Sequence, residues 1–159
     1  MARFPRLRVD QGVLVRASDS TGRPDQNRSV YAGMRLKIVE IADRGVPGKE
    51  CLHLAVQTSV NLNFYAVFDT VRIGGGLISQ FPRRAYWFQQ QEVSAGDRVI
   101  LHTGPGVNSF VKGEYGGTTF FFYWGLASTL WDEPSSCAVL LEVCQWQTSP
   151  NADGLCEET

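Results

Sequence analysis

The sequence predicts an all-β fold, a sandwich or small barrel of about seven or eight strands. Three observations carry this. Short runs alternate apolar and polar residues with a period of two. β-branched and aromatic residues fill those runs, while Gly, Pro, Asp and Asn fill the gaps. No segment repeats apolar residues at i, i+3, i+4 and i+7 over three helical turns, so little or no helix is expected.

The elements follow in order. Residues 1–12 carry Arg3, Arg6 and Arg8 with Pro5 and Gly12, and read as a basic N-terminal arm. A short strand is predicted at Val13-Leu-Val-Arg-Ala17, then a polar loop from Ser18 to Asn27. Tyr31 to Ala42 is a strand region whose broken alternation at Leu36, Ile38 and Ile41 predicts a bulge. Asp43 to Gly48 is a turn. Cys51 to Gln57 alternates cleanly, with Leu52, Leu54 and Val56 on one face and His53 and Gln57 on the other.

Phe64 to Ile73 is a long β-rich run that the flexible Gly74-Gly-Gly76 ends. Arg83 to Phe88 is a short aromatic strand, and Ser94 to Asp97 is a turn. In Arg98 to Gly104, Val99 and Leu101 share a face opposite Arg98 and His102. Pro105 to Gly117 reads as a Gly-rich loop, and Thr118-Thr-Phe-Phe-Phe-Tyr-Trp-Gly125 as an aromatic strand. Ala138 to Trp146 closes the domain, with Val139, Leu141 and Val143 expected inward and Glu142 outward. The domain therefore spans 13–147, followed by a polar tail at 148–159.

The chain has 159 residues, enough for one domain with a core that needs no staples. Charged residues are 19% and the net charge is −1, so no global attraction to nucleic acid or anionic membrane is expected. The charge is split, with +4 over residues 1–50 and −5 over residues 51–159. No stretch approaches the ~20 apolar residues of a membrane helix, and no signal-peptide run follows Met1, so a cytoplasmic location is expected. Cys51, Cys137, Cys144 and Cys156 form no CxxC pair. Cys137 and Cys144 would sit roughly 23 Å apart on one strand, too far for a disulfide. Cys51 and Cys137 are expected to be small apolar fillers and Cys156 a free thiol.

One series of segments resembles a known family, the lamin-tail domain. Leu36-Lys-Ile-Val-Glu-Ile41, a Gly-containing turn and Glu50-Cys-Leu-His-Leu54 are similar to its I-x-I, turn, E-Y-V-x-L succession. Val60-Asn-Leu62 is similar to its V-x-L. Val93-Ser-Ala-Gly-Asp-Arg-Val-Ile-Leu-His-Thr-Gly-Pro-Gly106 is similar to L-x-x-G-x-x-V-x-V-H-T-G-x-G. Tyr123-Trp-Gly125, Leu130-Trp131 and Cys137-Ala-Val-Leu-Leu141 fall in the family's order of Y-W-G, V-W and A-x-L. The resemblance covers about residues 35–146 and is of the bacterial, single-domain type. Phe64-Tyr65 stands where the family has Gly-Trp, and Ser135-Ser136 where Gly-Asp is common. The resemblance implies an immunoglobulin-like β-sandwich of about seven to nine strands, acting as a non-enzymatic binding module.

In physical terms, Gly96 permits a tight turn, while Gly104 and Gly106 allow left-handed backbone as their strand ends. Trp124 and Trp131 are large enough to plug the space between two sheets, with Gly125 closing the strand.

Three functions are open. Phe120 to Trp124 presents aromatics on both strand faces, so Phe121 and Tyr123, with Arg83, Arg84 and Trp87, are candidate contacts for a protein partner or a second copy. Arg3, Arg6 and Arg8, with Arg83-Arg84 beside Tyr86-Trp87, could hold phosphates and stack bases of a nucleic acid. His53 and His102 could hold a metal or small ligand, or act as an acid–base pair in an enzyme, if their strands were neighbours. No G-x-S-x-G elbow exists, and Gly104-Pro-Gly-Val-Asn-Ser109 lacks the helix a phosphate loop needs. No cofactor is expected, a small-molecule ligand is disfavoured, and no catalytic set is assigned.

Overall fold

The computed structural model describes residues 9–10, 13–14 and 33–149. The chain is all-β and sandwich-like. Val9–Asp10 (β1) and Val13–Leu14 (β2) form a two-residue antiparallel pair. Arg3, Arg6, Arg8 and Cys156 lie outside the described residues.

The first main sheet holds five strands: Leu36–Ala42 (β3), Cys51–Val56 (β4), Arg98–His102 (β10), Ser109–Lys112 (β11) and Thr118–Tyr123 (β12). Their order is β11-β12-β10-β4-β3. Every pairing is antiparallel except β10 with β12, which run parallel. The expected bulge is present between Ile38 and Glu40 of β3. The second main sheet is built on the long strand Tyr65–Gly74 (β6). Ser136–Glu142 (β13) covers one edge of β6, while Leu77–Ile78 (β7) and Arg84–Trp87 (β8) share the other. Val60–Asn61 (β5) and Glu92–Val93 (β9) pair at the end of the core, followed in the first case by a 3-10 turn at Leu62–Phe64.

Alternation explains the packing of the first sheet. Leu52, Leu54 and Val56 of β4, Val99 and Leu101 of β10, and Phe120 and Phe122 of β12 all face inward and are buried. They join Tyr65 and Val67 of β6, with Leu130 and Trp131, in one core cluster. Burying each such side chain contributes on the order of 1.5–3 kcal/mol. Trp131 is fully buried, whereas Trp124 is half-buried and meets Trp131 edge-on with ring centroids 6.3 Å apart.

Two sequence expectations are corrected. In β13, Ala138 and Leu140 pack on the core, not Val139 and Leu141. Glu142 stands opposite buried Tyr65, and its carboxylate accepts Nε and Nη2 of Arg35 at 3.0 and 2.5 Å. The Val139–Leu141 face instead lines a shallow cleft of about 200 Å³ with Phe68, Ile78 and Pro82. Apolar residues occupy both faces of this strand, so periodicity alone does not choose the inner one. The second correction concerns the Gly-rich segment 105–117, which contains a strand, β11, rather than only loop. Ser109-Phe-Val-Lys112 is too short to show a period.

Among the described residues, no helix is long and apolar enough to cross a membrane. Cys51, Cys137 and Cys144 are free.

Candidate functional site

Two chain segments organise the end of the first sheet. The turn before β10 has Gly96 at φ +91°, a conformation that favours glycine. Nearly buried Asp97 closes that turn by accepting the N–H of Ser94 at 2.7 Å, and its other oxygen accepts the N–H of Thr118 at 2.7 Å. At the far end, Trp124 N–H donates to the His102 carbonyl at 2.8 Å, Gly125 N–H to Gly104 at 3.1 Å and Leu126 N–H to Thr103 at 2.9 Å. The His102-Thr-Gly104 and Tyr123-Trp-Gly125 motifs are thus two sides of one backbone ladder, extended beyond the parallel β10–β12 pair.

Gly104 and Gly106 do not use the left-handed backbone open to them. At Gly106 the requirement is space: a Cβ there would fall on the ring of Tyr123. The loop after β10 therefore lies against Tyr123, which explains part of the outward aromatic surface of β12. The Tyr123 ring also stacks on His102, with centroids 4.9 Å apart and planes 12° from parallel. Phe121 stacks more loosely on the same imidazole at 6.3 Å.

The two histidines do come together. β4 and β10 are neighbours, with Cys51 opposite His102 and His53 opposite Ile100, so Cys51, His53 and His102 share the outer face of the sheet. Cys51 Sγ lies 3.3 Å from His53 Nε2, and His53 Nδ1 lies 3.7 Å from Glu40 Oε1. Burial, then the charge of His53, pushes the His102 imidazole below its usual range. Burial, then the carboxylates of Asp43, Glu40 and Glu50, pushes the Cys51 thiol up. A raised thiol is less ionised at neutral pH than an ordinary one. Among the described residues, no group of three or more His, Cys, Asp or Glu side chains is placed to hold a metal ion.

The remaining sequence candidates divide. Arg83 is partly exposed but tied to the domain: its Nη2 donates to Asp69 at 2.7 Å, to Ser136 Oγ at 3.1 Å and to the Leu130 carbonyl at 3.4 Å. Arg84 and Trp87 are exposed. Trp87 donates its Nε1–H to the Asn63 carbonyl at 2.6 Å and meets Trp146 edge-on.

Sequence reasoning missed the most exposed apolar group. β11 is the edge strand of the five-stranded sheet, and all four of its residues are exposed. Phe110 and Val111 are each 60% exposed, Val107 is 84% exposed, and Tyr115 at the β11–β12 turn is 97% exposed. Four large apolar side chains around one open strand edge form the clearest interaction surface of the domain. The only signal available beforehand was the presence of Val, Phe and Tyr inside a Gly-rich segment.

No family model, no curated protein and no solved structure matches the chain.

Proposed function

We propose that this chain is a non-enzymatic binding module of lamin-tail-like, immunoglobulin-like type, acting through protein–protein contact or self-association. The observation that carries the proposal is the exposed apolar edge at β11, with Val107, Phe110, Val111 and Tyr115 open to solvent. Phe121 and Tyr123 border this edge on the outer face of β12. The ordered motifs from Leu36 to Leu141 support the lamin-tail reading, and the backbone ladder between His102-Thr-Gly104 and Tyr123-Trp-Gly125 gives those two motifs a shared structural reason. A cytoplasmic setting suits the free thiols of Cys51, Cys137 and Cys144. Light scattering on the purified protein, followed by pull-down from extract of its own cell, tests this. A monomer that captures no protein rejects the reading.

One observation favours a second reading, a small-ligand or metal-binding role: His53 and His102 share one face with Cys51. If His53→Ala/His102→Ala leaves metal uptake unchanged, that role is discarded. The nucleic-acid reading retains Arg3, Arg6, Arg8 and Arg84, because Arg83 is bound to Asp69. It requires binding that weakens steeply as salt rises.

A further inference from the structure

We infer that a second copy of this chain docks on β11, joining the two five-stranded sheets edge to edge in antiparallel register about a twofold axis at Phe110. This rests on the self-association half of the proposed function and names its surface and partner.

The two edges of the five-stranded sheet differ. β3 carries a bulge between Ile38 and Glu40 and the charges Lys37 and Glu40, devices that blunt an edge. β11 pairs with β12 in unbroken register from Ser109 to Lys112, and its single charge is the terminal Lys112. Among the described residues, no strand pairs with its outer edge. Its backbone N–H and C=O groups on that side are therefore a template for another strand.

The side chains select the register. Phe110 stands opposite inward-facing Phe120 and so lies on the core side, with ring centroids 6.0 Å apart. Ser109 and Val111 stand opposite Phe121 and Thr119 on the outer side. A twofold axis normal to the sheet keeps the two faces distinct, so Phe110 must meet a core-side residue of the second copy. Phe110 against Phe110 places aromatic on aromatic at the open end of the core, sets Ser109 opposite Val111, and brings Lys112 opposite Asn108 rather than another cation. The same rotation carries Tyr115 to the loop of the second copy that bears Pro105 and Val107. Phe and Tyr bury about 150–250 Å² each. Phe110 and Tyr115, with Val107 and Val111, thus supply about half of the ~800 Å² per partner of a standard interface before the paired backbones are counted.

The test uses the full chain with Cys144→Ser and Cys156→Ser, so that surplus thiols do not confuse cross-linking. Wild-type protein is expected to reach twice the 17.7 kDa mass of one chain as concentration rises. Phe110→Lys should weaken this dimer at least tenfold with an unchanged circular dichroism spectrum, because residue 110 is 60% exposed, and its melting curve should lose the rise with protein concentration that the wild-type dimer shows. Ser109→Cys and Val111→Cys proteins should form a disulfide dimer on oxidation when mixed. Neither should do so alone, because the identical positions stand two residues out of register. A wild-type monomer at every concentration overturns the inference and leaves only contact with a different protein. A dimer that survives Phe110→Lys, or a Val111→Cys protein that cross-links with itself, overturns the surface or the register while self-association stands.

Discussion

The carboxylate of Glu50 accepts the backbone N–H of Trp131 at 3.1 Å, and both residues are fully buried. The same carboxylate accepts Leu130 N–H at 2.7 Å and Gly45 N–H at 2.9 Å. The Glu50 carbonyl receives Thr103 N–H and Thr103 Oγ1. One buried acid thus ties the turn before β4, the end of β10 and the loop that inserts Trp131 between the sheets. Arg44 reinforces that loop through the Trp131 and Ser136 carbonyls.

Glu50→Ala is therefore expected to be among the most damaging single changes. It strands the buried backbone donors of Leu130 and Trp131 and the part-buried donor of Gly45, and hydrogen bonds to a charged group contribute about 1.5–3 kcal/mol each. A loss of more than about 3 kcal/mol is expected in urea unfolding at neutral pH. Glu50→Gln should lose less, since its amide oxygen still accepts while its NH₂ opposes one donor. Equal stability of Glu50→Ala and wild type would sink this account.

Arg83 and Arg84 look alike in the sequence but should behave differently. Arg83 neutralises Asp69, which is 2% exposed, while the Arg83 side chain itself is 46% exposed. Solvent screening reduces the pair's contribution, so Arg83→Met is expected to cost about 1–2 kcal/mol. Arg84→Met should stay within about 0.5 kcal/mol. Matched urea titrations decide it, and equal losses at the two positions would contradict a structural role for Arg83 alone.

How much was legible beforehand depends on how local each cause is. Period-two patterns placed β4, β10 and β12 and their inward residues, because each strand has one strongly apolar face. β13 defeated that reasoning with apolar residues on both faces, and the Glu142–Arg35 pair that draws Glu142 inward spans 107 residues. Gly106 was noticed as a glycine, but its reason is a ring 17 positions away, not its own backbone angle. The apolar edge at β11 was hidden because exposure belongs to strand order rather than sequence. His53 and His102 were visible as residues, but their shared face depended on the β4–β10 pairing.

The Gly106 contact has its own test. Gly106→Ala forces a methyl group onto the Tyr123 ring and is expected to cost about 1–3 kcal/mol by overpacking. In a Tyr123→Ala background the same change should cost less than about 0.5 kcal/mol, because its obstacle is gone. A double-mutant cycle of thermal or urea unfolding measures the difference. A cost that stays the same in both backgrounds would place the strain elsewhere.

Tyr65 predicts an alkaline limit to stability. Its side chain is fully buried in the core, with the Glu142 carboxylate and the Arg35 guanidinium beside its hydroxyl. Burial, then the neighbouring Glu142 carboxylate, pushes its phenol up to about 12 from an ordinary value of 10.0. The folded state thus holds the proton more tightly than the unfolded state. Stability tied to this group is complete below pH 10 and is lost as pH rises from 10 through 12, because only the unfolded chain ionises easily there. A two-unit difference corresponds to about 2–3 kcal/mol. Tyr65→Phe keeps the ring in the core and removes the titrating group, so it should cost no more than about 0.5–1.5 kcal/mol at pH 7 and should flatten the alkaline fall. Urea midpoints for both proteins, measured at intervals from pH 8 to pH 12, give the comparison. Parallel curves would mean that the alkaline loss comes from other groups, the half-buried Tyr86 first among them, whose phenol burial also pushes up.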